Sequence, residues 1–236
     1  MMPKSTVEQI KERFDNSVER FSNSDSGNTA QMDSVMSMTL IAEAAALATP
    51  QAKSVLDVGC GGGNYVLKLL EYSPALDVTL FDLSLPMLER ARDRVQQAGA
   101  GTITLLQGDI READIGQEKY DILVASAVLH HLREDAEWEA VFAKLYQALK
   151  SGGSLWIYDL IEQSIPELNA TMHRLHGDYL VQHQDAAFRD TVFGWIEMED
   201  SPRPLMYQLD LMRSVGFRTV DVLHKHSRFA AFGGVK

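Results

Sequence analysis

The chain has 236 residues, 45% of them hydrophobic and 23% charged, and a formal net charge of −11. That length suits one domain with a single sizeable core, and the acidic balance argues against broad binding to phosphate backbones or anionic membranes, which needs a basic face, while leaving room for a local basic patch. The single cysteine, Cys60, excludes an internal disulfide and a cysteine-rich metal site.

Residues 1–14 are charged and carry no apolar core, so no secretion signal is expected. No apolar run reaches the length of roughly 18 residues that a membrane span needs, so no membrane partner is expected and the cytoplasm is the expected compartment. In residues 5–21, Val7, Ile10, Phe14, Val18 and Phe21 recur at spacings of three and four, which predicts an amphipathic helix. Residues 22–28 form a polar Ser/Asn/Gly/Asp stretch that reads as a loop. Residues 35–48 are rich in Ala and Met and predict a second helix, ended near Pro50. Plain packing against a sheet explains both helices; the sharper expectation is that residues 1–50 form a helical lid.

Val55-Leu56-Asp57-Val58-Gly59-Cys60-Gly61-Gly62-Gly63-Asn64 follows. An apolar run, an acidic residue, a glycine cluster and then a helical pattern predict a buried strand, a tight turn and a helix start. Glycines there permit positive φ and close approach of a ligand, and the helix N-terminus favours an anionic group. A dinucleotide fingerprint needs G-x-G-x-x-G, but Asn64 occupies the third glycine position, so nicotinamide cofactors are not expected.

From residue 54 onward strands and helices alternate, which predicts a doubly wound parallel sheet. Strands are expected at residues 54–58, 77–82, 102–107, 120–126 and 154–159, and helices at 64–72, 85–98 and 135–149. Ser151-Gly152-Gly153 reads as a turn. Residues 165–184 predict a long helix, residues 188–205 a mixed stretch, and residues 206–215 a helix closed by Gly216. Residues 217–223 and 227–235 read as two final strands.

The order of further signals narrows the reading. Asp82 ends the second strand, where a carboxylate can accept two ribose hydroxyls. Gly108-Asp109-Ile110 follows the third strand, Ser126-Ala127 the fourth, and then Val128-Leu129-His130-His131-Leu132. Singly these have plain readings, since strand-end Asp residues often cap helices and Gly-Asp is an ordinary turn. Together they lie at successive strand C-termini, where open α/β sheets bind ligands.

This pattern resembles class I S-adenosylmethionine (SAM) dependent methyltransferases, firmly over residues 54–159 and more loosely in the tail. The resemblance implies a single domain over residues 1–236. Its α/β fold would be a doubly wound, mostly parallel seven-stranded sheet whose last strand is antiparallel, with an N-terminal helical lid and a helical insert before strand six. It implies that Gly59, Cys60 and Gly61 line the methionine part of SAM, with Asp57 orienting the glycine loop. Asp82 and Leu83 would hold the ribose with Met87 nearby, Asp109 and Ile110 the adenine, and Ser126 the amino acid end. S-adenosylhomocysteine would be the product.

The N-terminus, the insert and the ending Gly216-Phe217 with Phe229-Ala230-Ala231-Phe232-Gly233 also resemble the carboxy-SAM synthase branch, which serves tRNA wobble-uridine modification. That enzyme makes carboxy-SAM from SAM and prephenate, using an arginine in the insert and a tyrosine before the glycine strand. Here Gln31 or Met32 stands at the tyrosine's approximate position, and Arg189 is the nearest arginine, several residues off. A SAM-binding protein without transferase activity is a third alternative.

Methyl transfer from a sulfonium mostly requires positioning and a dry pocket, with a base for some acceptors. His131, just past the fourth strand, is the candidate base, although it and His130 could instead cap the following helix. Residues 160–204 are expected to wall the pocket of a small-molecule acceptor, with Arg189, Phe193 and Trp195 as substrate candidates. The same aromatics would suit a homodimer interface. His173, His176 and His183 share one helical face, but no carboxylate joins them in a ligand pattern, so no metal is expected there.

Overall fold

The computed structural model describes residues 4–23 and 29–236. Its centre is a seven-stranded sheet in the order β3-β2-β1-β4-β5-β7-β6. The strands are β1 (Ser54–Val58), β2 (Asp77–Asp82), β3 (Ile103–Gln107), β4 (Tyr120–Ser126), β5 (Leu149–Leu160), β6 (Thr219–His226) and β7 (Phe229–Val235). Strands β1 to β5 pair in parallel, while β7 runs antiparallel to both β5 and β6. The seven-stranded sheet with its antiparallel last strand agrees with the expectation from sequence.

Alternation along the strands builds two core layers. Leu56 and Val58 of β1 and Leu123 and Ala125 of β4 face one layer, with Trp138 and Phe142. Val55, Ile122 and Val124 face the other, with Ile41, Val66 and Leu88. Strands covered on both faces carry near-continuous apolar runs, which is why β1 and β4 are legible in sequence.

The helices are α1 (Val7–Asp15), α2 (Val18–Ser22), α3 (Ser34–Ala48), α4 (Asn64–Tyr72), α5 (Leu85–Gln97), α6 (Asp135–Ala148), α7 (Pro166–His183), α8 (Ala186–Glu199) and α9 (Leu205–Val215). Their starts follow capping chemistry. Thr6 and Gln9 form a capping box on α1, and Ser84 accepts the Met87 N–H at 3.3 Å to open α5. Gly216, at φ 118°, closes α9.

Three local expectations are corrected. The helix expected over residues 5–21 is two helices, parted where Asn16 and Ser17 leave helical geometry and donate their N–H groups to Glu12 and Phe14. The stretch expected to be mixed, residues 188–205, is mostly α8, opened by Asp185 accepting the Phe188 N–H at 2.7 Å. The Ser151–Gly153 turn is absorbed into β5 as a register break, with Gly152 at φ 78°. Within the expected loop at 22–28, residues 24–28 lie outside the described residues. Among the described residues, no helix is long and apolar enough to cross a membrane.

Candidate functional site

The loop after β1 carries the tightest backbone of the site. Gly59, Gly61 and Gly63 have φ of 68°, 48° and 80°, which glycine adopts without the Cβ penalty. A Cβ on Gly59 would lie 2.6 Å from Val128 Cγ2, so this turn also needs glycine for space. The Gly59 and Cys60 N–H groups both donate to the Phe81 carbonyl, at 2.8 and 3.0 Å. Ala127, past β4, has φ 50°, a strained value for a residue with a side chain and a common mark of a functional site.

A deep cavity opens at the C-terminal ends of β1 to β4. It is lined by all ten residues that the sequence assigns to the cofactor: Asp57, Gly59, Cys60, Gly61, Asp82, Leu83, Met87, Asp109, Ile110 and Ser126. Val7, Ile10, Phe14 and Phe21 from α1 and α2 roof it. A second cavity adjoins it, lined by Arg13, Arg20, His130, His176, Trp195, Asp200 and others. Phe14, Phe21, Gln31, Ala127 and His131 line both, so the two chambers meet at these residues.

The two strand-end carboxylates have different partners. Asp82 accepts the Gly61 N–H at 2.8 Å through Oδ2 and the Ser84 N–H at 2.9 Å through Oδ1. The sequence reading gave the orienting of the glycine loop to Asp57; a side-chain hydrogen bond to the loop, from the Gly61 N–H, is accepted by Asp82. Asp57 is buried with its Oδ2 unpartnered. Burial, then the charge of Asp82, pushes its carboxyl up to about 8, and burial also raises Asp82. Asp109 pairs with Arg111, whose Nε lies 3.0 and 3.1 Å from the two carboxylate oxygens. Burial works against the charge of Asp109, but Arg111 outweighs it and holds the group below its ordinary range.

Beside the second chamber, Asp159 at the end of β5 grips the 3-10 turn at Leu129–His131. It accepts the Leu129 N–H at 2.8 Å and pairs with His130 Nδ1. Burial disfavours the imidazolium, but the carboxylates of Asp159 and Asp200 outweigh it and push His130 up to about 9. His131 lies at the junction, with its Nδ1 3.2 Å from Asp200 Oδ1 and its ring edge-on to Phe14.

The roof is tied down by specific bonds. Asn64, the residue at the third fingerprint position, donates to the Phe21 carbonyl at 3.1 Å. Arg13 forms a two-pronged pair with Glu199, and the Ser5 N–H donates to the Met198 carbonyl at 2.9 Å. Trp195 lies under the Arg20 and Arg13 guanidinium groups, 4.9 and 5.3 Å from its ring. Of the three substrate candidates, only Trp195 lines the second chamber. Phe193 instead packs on His173 and His176, and Arg189 pairs with Asp190 on a half-exposed face.

Sequence reasoning missed Asp159, Asp200 and Glu199. Asp159 follows the same rule as Asp57 and Asp82, an acidic residue near a strand's C-terminal end, and was findable on that signal. Arg13 and Glu199 are far apart in the chain, and their pairing leaves no local pattern.

Residues 55–153 match a family model described as a methyltransferase domain. The chain is 22% identical to a carboxy-S-adenosyl-L-methionine synthase from Nautilia profundicola, over 75% of each chain. It is 36% identical over 101 residues to a malonyl-[acyl-carrier protein] O-methyltransferase from Acetivibrio thermocellus, covering 43% of this chain and 33% of that protein. In fold it is similar to human N-acetylserotonin methyltransferase in complex with SAM, at a TM-score of 0.58 and 17% identity, covering 99% of this chain and 63% of that one. The synthase apart, the chain spans a third to 56% of the length of the curated relatives it matches. SAM is the cofactor of the methyltransferase family. The domain's cavity fits it by one observation above the rest: the orphaned Asp57 oxygen among acceptors and backbone N–H groups suits a ligand with an ammonium group.

Proposed function

We propose that this chain transfers the methyl group of SAM to a small-molecule acceptor held in the second chamber. The observation that carries this reading is the junction: a donor in the first cavity and an acceptor in the second would meet beside Ala127 and His131. SAM supplies an already activated methyl group, so the protein's work is placement and exclusion of water. Asp82 would accept the ribose hydroxyls, Asp109 and Ile110 would hold the adenine, and Asp57 and Ser126 the amino acid end. Phe14 and Phe21, which line both cavities, would keep water from the junction. His131 would take the proton from an oxygen or nitrogen acceptor as the methyl arrives, and Asp200 beside it would steady the resulting imidazolium. His130, held charged by Asp159 and Asp200, is no base at neutral pH and would anchor the turn that carries His131. A small-molecule acceptor is favoured by the chamber's mixed lining of apolar and charged side chains beside α1, α2 and α8.

The test is acceptor-dependent formation of S-adenosylhomocysteine, followed by mass spectrometry across pooled metabolites. Once an acceptor is found, His131→Ala should cut turnover by about 10²–10⁴-fold, the range for a general base, while SAM affinity stays at the wild-type value. Trp195→Ala should raise KM for the acceptor. Unchanged turnover in both variants contradicts this use of the chamber.

The similarity to the carboxy-SAM synthase over three quarters of both chains favours a second reading, formation of carboxy-SAM. Against it, Gln31 stands in the chambers near the position of the expected tyrosine, and Arg189 lies outside them, paired with Asp190. The mass of a copurifying nucleoside separates the two readings, since carboxy-SAM is heavier than SAM.

A further inference from the structure

A second group of ligand-type side chains stands away from both chambers. β6 is the edge strand of the sheet, and the two-residue period puts His224 and His226 on one face of it. A register break between Val222 and His224 re-aims this end of the strand. Asp33, at the residue before α3, reaches it from the other side of the chain. His224 Nε2 lies 2.9 Å and His226 Nδ1 2.7 Å from the same oxygen, Asp33 Oδ2. Asp33 holds φ 59°, the left-handed conformation, so the backbone is bent to present this carboxylate.

We propose that Asp33, His224 and His226 form a binding site for a divalent transition metal, with zinc the best match. Two imidazole nitrogens and one carboxylate oxygen are the donor set of an open zinc site, which keeps its fourth position for water. All three ligand atoms lie within 4.8 Å of one another. In a tetrahedron with bonds of about 2.0 Å, ligand atoms stand about 3.3 Å apart. The two nitrogen–oxygen separations need to widen by only about half an ångström, within reach of side-chain rotation at a half-exposed site. Each ring would carry its N–H on the far nitrogen and turn a lone pair to the metal.

Among the described residues the other metal-ligand grouping is His130, His131 and Asp200. There His130 is already bound to Asp159 and held as the imidazolium, which opposes a cation. The edge site has no such competitor within its own triad. It also has a structural consequence. The carbonyls of Ala30, Gln31 and Met32 accept bonds from His176, Tyr179 and Tyr158, and Gln31 lines both chambers. A metal on Asp33 would therefore pin the end of a segment that walls the site.

The test is calorimetric titration of the chelator-treated full chain with ZnCl2, repeated with Co2+ and read by visible absorption. The expected result is one metal per chain, a tetrahedral cobalt spectrum, and at least tenfold weaker binding in His224→Ala and His226→Ala. His226 is exposed, so that variant keeps its fold, and wild-type affinity for S-adenosylhomocysteine verifies this. His131→Ala should bind zinc like the wild type. No uptake by the wild type overturns the proposal. So does uptake that survives both strand variants or is lost in His131→Ala.

Discussion

At the scale of single residues, Asp57 is the group whose titration would report the filling of the proposed cofactor site. In the free protein its carboxyl is pushed up to about 8 by burial and by Asp82, so near neutrality it is mostly protonated. A ligand ammonium beside it favours the carboxylate, so binding below pH 8 expels a proton. Affinity for S-adenosylhomocysteine should therefore rise with pH, by up to about tenfold per unit between pH 6 and 8, and level off above. Calorimetry in buffers of different ionisation enthalpy should register the released proton. Asp57→Asn should flatten the dependence; a profile as steep as the wild type's would place the titrating group elsewhere. The identity of Asp57 was legible, since it sits just before a glycine turn. Its orphaned oxygen was not, because that depends on Asp82 taking the Gly61 N–H from across the strand end.

At the scale of elements, α2 packs directly against the glycine loop. A Cβ on Gly62 would fall 2.6 Å from the Ser22 Cα, a backbone atom that cannot turn aside. Gly62→Ala should therefore lift α2 from the loop while leaving the sheet intact. In this variant, hydrogen exchange at residues 18–22 should quicken, and S-adenosylhomocysteine should dissociate faster. Exchange equal to the wild type's would mean that α2 does not cover the cofactor cavity through this contact. The roofing helices were legible from their apolar stripe, but the break at Asn16 and Ser17 was not. α8 escaped notice for a different reason. Its inner face carries Glu199, 3% exposed, which pairs with Arg13, and an inward acidic residue breaks the apolar period by which helices are read.

At the scale of the whole molecule, strand order decides where chemistry can occur. β1 and β4 are neighbours, and the chain leaves the centre of the sheet in opposite directions from them: to β2 and β3 on one side, to β5 and β7 on the other. The crevice at their C-terminal ends is the switch point at which such sheets bind ligands. The buried parallel strands made that architecture readable, and with it ten of the residues that line the first cavity. The second chamber was only partly readable. Its walls come from α1, α2, α8 and the turn after β4, and the pairs that join them, such as Arg13 with Glu199, have no signature in local sequence.

The most direct measurement is calorimetric titration of S-adenosylhomocysteine into the wild type and Asp82→Ala. Asp82 is 8% exposed and ends β2 on the cavity wall, where it would accept two ribose hydroxyls. Each charge-assisted bond contributes roughly 1.5–3 kcal/mol, so the variant should bind at least tenfold more weakly while its circular dichroism and oligomeric mass stay those of the wild type. Equal affinity in a folded Asp82→Ala protein, or no binding by the wild type, would contradict the account.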